Sequence, residues 1–312
     1  MATQKAWFHN KYGSVDVLQL GEFPVPKAGP GFVLVKVRAA ALNPVDCKRR
    51  EGVFQHNDSE FPTVPCCDMS GVVVEVGEGV TKFKKGDEVY GDIQEFMSGK
   101  PKQCGVLAEY TAAEEYLVAA KPKKLSFEEA ASLASVLITA SQAFETANFA
   151  KGQSVFIVGG AGGVGSVAIQ LAKHVYGASK VVATTSTPKV GFVKGLGADV
   201  VHDYTKHSYD QITEKFDFVF DTIGDSAKSH VVAKEGAPII DIAAFPPHPK
   251  AQNMFAIPGA VKLEKLSEYL ESGKVKAVLD PKSPFPFSKV IEAFKHQETG
   301  RASGKIVISP IP

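Results

Sequence analysis

Ser154-Val155-Phe156-Ile157-Val158-Gly159-Gly160-Ala161-Gly162-Gly163-Val164-Gly165 decides the fold of this chain. It contains G-x-G-x-x-G as Gly160, Gly162 and Gly165, a weak pattern when it stands alone. Here an apolar run predicts a strand over 154–158, and an amphipathic pattern predicts a helix over 164–176. That strand–turn–helix context identifies a dinucleotide-binding turn. The first glycine permits the tight turn, the second lets the backbone approach a pyrophosphate, and the third allows close helix–strand packing. The helix start, with Gly163 and Val164, offers free N–H groups and a positive dipole end to phosphate.

The next strand, 180–184, runs into Thr184-Thr185-Ser186-Thr187-Pro188-Lys189. A NAD site needs an acidic side chain about 20 residues after the glycines to bond the ribose 2′-hydroxyl. Hydroxyls and a lysine stand there instead, and they would accept a 2′-phosphate that an acid would repel. NADPH is therefore the expected cofactor. Thr187-Pro188 also suits the start of a helix ending near Gly195 or Gly197, so Ser186 and Thr187 can act as caps as well.

Outward from this stretch, strands and helices alternate. Further strands are expected at 200–201, 216–220, 238–242, 275–279 and 306–308, and helices at 260–272 and from Ser288. Alternation of this kind makes a parallel sheet. Ser126-Phe127-Glu128-Glu129 is a capping box opening a helix to about Ala147. Upstream, 31–39 alternates, with Val33, Val35 and Val37 on one face and Leu34, Lys36 and Arg38 on the other. With 71–76, 88–90 and many Gly and Pro turns, it predicts a small β-rich unit.

The 312 residues suit two domains. Lys plus Arg is 35 and Asp plus Glu 34, giving a net charge of +1. That balance argues against a nucleic-acid or membrane-surface partner attracted by bulk charge. No apolar run reaches the length of a membrane span. The first residues have no secretory h-region and no transit-like composition, so a cytoplasmic location is the default; the alternative is the chloroplast, peripherally or after removal of a transit peptide. Four cysteines, Cys47, Cys66, Cys67 and Cys104, are too few and too clustered for a disulfide framework.

Motifs across almost the whole chain resemble the zinc-independent quinone-oxidoreductase branch of the medium-chain dehydrogenase/reductases. They are Asn43-Pro44-Val45-Asp46, Asp68-Met69-Ser70-Gly71-Val72-Val73, Gly86-Asp87-Glu88-Val89-Tyr90-Gly91, Leu107-Ala108-Glu109-Tyr110, the glycine turn, Asp203-Tyr204 and Gly304-Lys305. Stretches 42–49, 170–180, 270–280 and 285–294 look especially like plant enone oxidoreductases and chloroplast alkenal/enone reductases. The resemblance implies an α/β protein in which a Rossmann doubly wound sheet (125–262) is inserted in a GroES-like β-rich catalytic domain (1–124 and 263–312). It implies NADPH-dependent reduction of the carbon–carbon double bond of an enone or enal. A quinone is the alternative substrate, and an NADPH-binding protein without turnover the alternative of another class. A monomer or homodimer is expected.

The same resemblance implies that Lys48 lies by the substrate, where it can polarise the carbonyl or supply a proton. Ser186, Lys189 and Tyr204 would hold the 2′-phosphate, with Thr185 at the same strand end. Asn43, Thr139, Arg301, Gly304 and Lys305 would lie near the cofactor. Phe54 reads as pocket wall and Cys66 as a substrate-side residue. The chain departs from the family at Pro65-Cys66-Cys67-Asp68, where Cys66 replaces a usual glycine, and at Phe245-Pro246-Pro247-His248-Pro249.

The plainer readings are a solvated charged turn for Lys48-Arg49-Arg50 and a strand-end aromatic for Tyr204. For the cysteines it is small buried hydrophobes, redox-sensitive only if Cys66 or Cys67 is exposed. Asp46, Asp68 and Glu109 read as partners of backbone or basic groups. No C-x-x-C pair exists, and vicinal Cys66-Cys67 suits a tetrahedral ion poorly, so no metal is expected. Gly191, inside a predicted helix, is costly by about 1 kcal/mol and is expected to reflect close packing.

Overall fold

The computed structural model describes residues 2–94 and 102–312. The chain divides into two compact units: Met1–Ser135, Ile257–Glu271 and Leu279–Pro312 form one, and Val136–Ala256 with Ser272–Val278 form the other. The first unit begins with strands β1 (Thr3–Phe8), β2 (Gln19–Pro24) and β3 (Phe32–Leu42), then helix α1 (Pro44–Arg50). Strands β4 (Asp68–Val76), β5 (Glu88–Asp92), β6 (Tyr110–Glu114) and β7 (Val118–Ala120) follow, and then α2 (Phe127–Thr146), whose residues from Val136 onward belong to the second unit. The second unit carries β8 (Ser154–Val158), α3 (Gly163–His174), β9 (Lys180–Thr185), α4 (Val190–Gly195) and β10 (Val200–Asp203). It continues with β11 (Phe218–Asp221), α5 (Ser226–Ser229), β12 (Ile239–Asp241) and β13 (Gln252–Asn253). Helices α6 (Ala260–Glu271) and α7 (Val290–Glu298) and strand β14 (Ile306–Ile308) complete the chain.

In the first unit an antiparallel sheet runs β14-β3-β4-β5-β7, with β6 also paired to β3. The alternation in β3 has the expected effect: Val33, Val35 and Val37 are fully buried, while Arg38 is exposed. These valines join Trp7, Met69, Leu107, Phe294 and Ile306 in one core, and Trp7 donates its indole N–H to the Phe287 carbonyl at 2.7 Å. Such side chains contribute about 1.5–3 kcal/mol each when fully buried.

The second unit holds a parallel six-stranded sheet in the order β10-β9-β8-β11-β12-β13. Counted from β8 this is 3-2-1-4-5-6, the order of the doubly wound dinucleotide fold, and the reversal lies between β8 and β11. The sequence expectation of alternating strands and helices is met. Its core is aromatic: Phe156, Tyr209 and Phe216 pack with Val219 and Val232, and Phe144 stacks on Tyr176 at 4.5 Å.

Three expectations change. Residues 275–279 form no strand; the Gln170 side chain from α3 bonds both the N–H (2.8 Å) and the carbonyl (3.1 Å) of Lys276 and replaces a neighbouring strand. The left-handed turn after β8 belongs to Gly159 (φ 83°), one residue before the motif, whereas Gly160 is demanded by packing, since a Cβ there would sit 2.9 Å from Ala183 Cβ. A Cβ on Gly191 would meet no atom within 4 Å, so close packing does not explain that glycine.

Candidate active site

In the second unit, the candidate nucleotide turn is built where β8 meets α3. The glycine turn closes on itself: Gly160 N–H bonds the Thr184 carbonyl (2.9 Å) and Gly162 N–H bonds the Gly159 carbonyl (3.0 Å). Helix α3 starts directly after Gly162, and no side chain caps it. The first N–H groups of a helix have no partner within it, so Gly163, Val164 and Gly165 present donors at the positive end of a 12-residue helix. A Cβ on Gly165 would stand 2.2 Å from the Gly159 carbonyl oxygen, so only glycine lets helix and turn approach this closely. A pyrophosphate fits this arrangement, because it supplies acceptors to amides that no side chain among the described residues caps.

The adjacent strand ends carry the remaining expected nucleotide contacts. Thr185 is buried at the end of β9, opposite Asp203 on β10. Ser186 opens a single 3-10 turn, Thr187–Lys189, without using its hydroxyl as a cap. Tyr204 is half exposed, and its N–H bonds the Thr185 carbonyl at 3.2 Å. No acid ends β9, so the hydroxyl-and-lysine turn suits a 2′-phosphate. Thr139 lies elsewhere in this unit, buried on α2.

In the first unit, the expected substrate-side and neighbouring residues centre on α1. The plainer sequence reading of Lys48-Arg49-Arg50 is a solvated charged turn; the structure forms a helix there. Pro44 takes the first helical position, and the Asp46 carboxylate reaches back to the Asn43 N–H at 2.7 Å. Arg49 and Arg50 are not solvated. Arg49 is buried against Asp58 at 2.6 Å and also reaches Ser59 and the Lys102 carbonyl. Arg50 is 1% exposed, bonds the Gly13 carbonyl and Glu298 (2.6 Å), and lies over the Phe294 ring. Of the three basic residues only Lys48 stays half exposed, on a helix whose neighbouring residues are anchored. Phe54 follows in the next turn and is half-buried.

Below α1 lies a buried charge cluster. Asn43 is held on every polar group: its N–H by Asp46, its amide nitrogen by Asp68 (2.9 Å), and its amide oxygen by Lys305 (2.5 Å). Lys305 also bonds the Leu42 carbonyl (2.9 Å) and Asp68 (3.1 Å). The side chains of Asn43 and Lys305, both expected near the cofactor, are thus engaged with one another and with Asp68. Gly304, beside Lys305, has φ 84° and is buried, and Arg301 is exposed. Burial pushes Asp46 and Asp92 up to about 7 each. The same burial raises Asp68, against the pull of Lys305 and the Asn43 amide. Asp46, Asp68 and Glu109 all act as partners of backbone or basic groups, Glu109 through the Lys5 N–H at 2.7 Å.

Cys66 is buried beside this cluster in a left-handed conformation (φ 70°). Burial raises the Cys66 and Cys67 thiols well above their usual range, which favours the inert thiol form.

Cys67, Asp68 and Asp92 offer ligand atoms within 4.8 Å of one another. They do not fit a zinc ion. Asp68 already accepts from Ser135 N–H, Asn43 and Lys305, Asp92 accepts from Gln94 N–H, and the Lys305 ammonium supplies the local positive charge. Among the described residues, no helix is long and apolar enough to cross a membrane.

Comparison with known proteins agrees with this geometry. The family description "Alcohol dehydrogenase GroES-like domain" matches residues 29–123, and "Zinc-binding dehydrogenase" matches 196–308. The chain is 54% identical to 2-methylene-furan-3-one reductase of Solanum lycopersicum, over 99% of this chain and 79% of that protein. It is 50% identical to the NADPH-dependent alkenal/one oxidoreductase, chloroplastic, of Arabidopsis thaliana, over 99% of this chain and 80% of that one. The quinone oxidoreductase structure from Coxiella burnetii superposes with a TM-score of 0.88 at 31% identity, covering 99% of each chain. A parallel sheet in dinucleotide-fold order, an uncapped glycine turn and these full-length likenesses lead to one conclusion: the chain belongs to the quinone-oxidoreductase-like branch of the medium-chain dehydrogenase/reductase family.

Proposed function

We propose that this protein reduces the carbon–carbon double bond of α,β-unsaturated carbonyls, enones and enals, at the expense of NADPH. The observation that carries this reading is identity of half or more, over 99% of the chain, to two reductases named for such substrates. NADPH supplies the hydride, which goes to the β-carbon of the substrate. The amides of Gly163, Val164 and Gly165 hold the pyrophosphate, and Ser186, Lys189 and Tyr204 surround the 2′-phosphate. Negative charge develops on the carbonyl oxygen as the β-carbon is reduced, and a fixed donor there lowers the barrier. Lys48 is our candidate for that donor, because α1 leaves it half exposed while burying both arginines that follow. The α-carbon then takes its proton from Lys48 or from solvent. Lys305, closed into the Asn43–Asp68 cluster, serves the scaffold of this site in our reading.

The test is NADPH oxidation against enones, enals and quinones, with NADH as control. Oxidation with quinones alone overturns the proposal, and NADPH binding with no turnover of any acceptor points to a sensor. Lys48→Ala should lower kcat on enones on the order of tenfold to a hundredfold, with NADPH affinity within about twofold of the parent. Unchanged kcat removes Lys48 from the chemistry. The chloroplast is our proposed location, following the Arabidopsis relative's printed name; a fluorescent fusion of the full-length gene product excluded from plastids would refute it.

A further inference from the structure

The turn proposed to receive the 2′-phosphate has an acid beside it. Asp203 ends β10 directly opposite Thr185, and its carboxylate is only 11% exposed. One oxygen accepts from the Thr187 hydroxyl at 2.5 Å. The other accepts from the Thr205 hydroxyl at 2.6 Å and the Thr205 N–H at 3.1 Å. The two threonine hydroxyls lie 3.0 Å apart, and the Lys206 ammonium stands 3.8 Å from the carboxylate. A carboxylate close to a phosphate site is electrostatically unfavourable, so it needs another reason to be there.

The bonds supply that reason. Thr187 belongs to the turn after β9, the turn of Ser186 and Lys189. Thr205 belongs to the turn after β10, which carries Tyr204. Asp203 accepts from both, and its acceptors point into these hydroxyls and amide. The hydroxyl donors also hold its carboxyl below the usual range, so it stays an acceptor at neutral pH. We propose that Asp203 is a positioning residue for 2′-phosphate recognition: it clasps the two turns together so that Ser186, Lys189 and Tyr204 are set before the nucleotide arrives. It does not touch the phosphate. Ordering these turns in advance lowers the entropy lost on binding, and only a nucleotide bearing the 2′-phosphate benefits. This inference rests on the NADPH reading given above.

The test compares Asp203→Ala and Asp203→Asn with the parent protein, using nucleotide fluorescence for NADPH and NADH affinity and thermal melting for folding. Asp203→Ala should weaken NADPH on the order of tenfold and leave NADH within about twofold. Asp203→Asn keeps one acceptor for the Thr205 N–H, donates to the Thr187 oxygen and removes the negative charge. It should therefore bind NADPH at least as tightly as the parent. Equal weakening of both nucleotides by Asp203→Ala, no weakening of NADPH, or an Asn variant as weak as Ala would each overturn the proposal. Failure of the NADPH reading itself looks different: the parent protein would bind NADH as tightly as NADPH.

Discussion

Gly162 offers the sharpest test of the nucleotide site, because the structure gives it no local reason to be glycine. Its φ of −78° and ψ of 175° are open to any residue, and an added Cβ would meet only the Gly159 carbonyl oxygen, at an ordinary 3.5 Å. For Gly162→Ala two local terms oppose each other. Alanine is a poorer helix N-cap than glycine by roughly 0.5–1 kcal/mol, and it restricts the unfolded chain by about 0.4–1 kcal/mol. The net change in stability is within about 1 kcal/mol, or about 2–4 °C in Tm. Binding should suffer far more. The methyl group stands where the pyrophosphate approaches the backbone and displaces it from the α3 amides. Losing two charge-assisted bonds at about 1.5 kcal/mol each weakens NADPH by roughly a hundredfold. Gly165→Ala is the contrast, since its Cβ would lie 2.2 Å and 2.8 Å from backbone atoms of Gly159 and the fold itself must give. Fluorescence titration with NADPH and thermal melting separate the two. A Gly162→Ala protein that binds NADPH like the parent would refute the reasoning.

Gly191→Ala fills open space in α4 and should raise stability by about 0.5–1 kcal/mol; a lower Tm would show that the glycine serves a purpose we have not identified. Asp92, raised from 3.8 to about 7, keeps its proton in the folded protein longer than in the unfolded chain. Its burial therefore costs nothing below pH 3.8, costs increasingly as pH rises, and reaches its full cost above about 7. Asp92→Asn should gain on the parent by roughly 2–3 kcal/mol between pH 5 and pH 8 in urea unfolding, and parallel pH profiles would argue against this assignment.

The parallel sheet and the glycine turn were legible because both are local: periodicity marks the strands, and the motif spans a few residues. The surroundings of Lys48 were not. Whether Arg49 and Arg50 face water depends on Asp58, nine residues away, and Glu298, 248 residues away. No window of sequence holds both partners. The helix signal was present in Pro44 and Asp46 but was masked by the three basic residues that follow. Gln170 shows the same limit, since an amide from α3 stands in for a strand that periodicity had placed at 275–279. Asp203 was visible as part of a motif, but its role depends on two threonines that only the pairing of β9 and β10 brings within reach.

The return of the chain to its first unit has a consequence for synthesis on the ribosome. Strand β3 waits for β14 at one edge, Arg50 waits for Glu298, and Asp68 waits for Lys305. Each early partner is made more than 230 residues before the late one in the two ion pairs. Through most of translation the nascent first unit therefore carries a carboxylate without its cation and a strand edge without its neighbour. The second unit, whose sheet is complete by residue 253, can close meanwhile. The last residues made thus complete the first sheet begun.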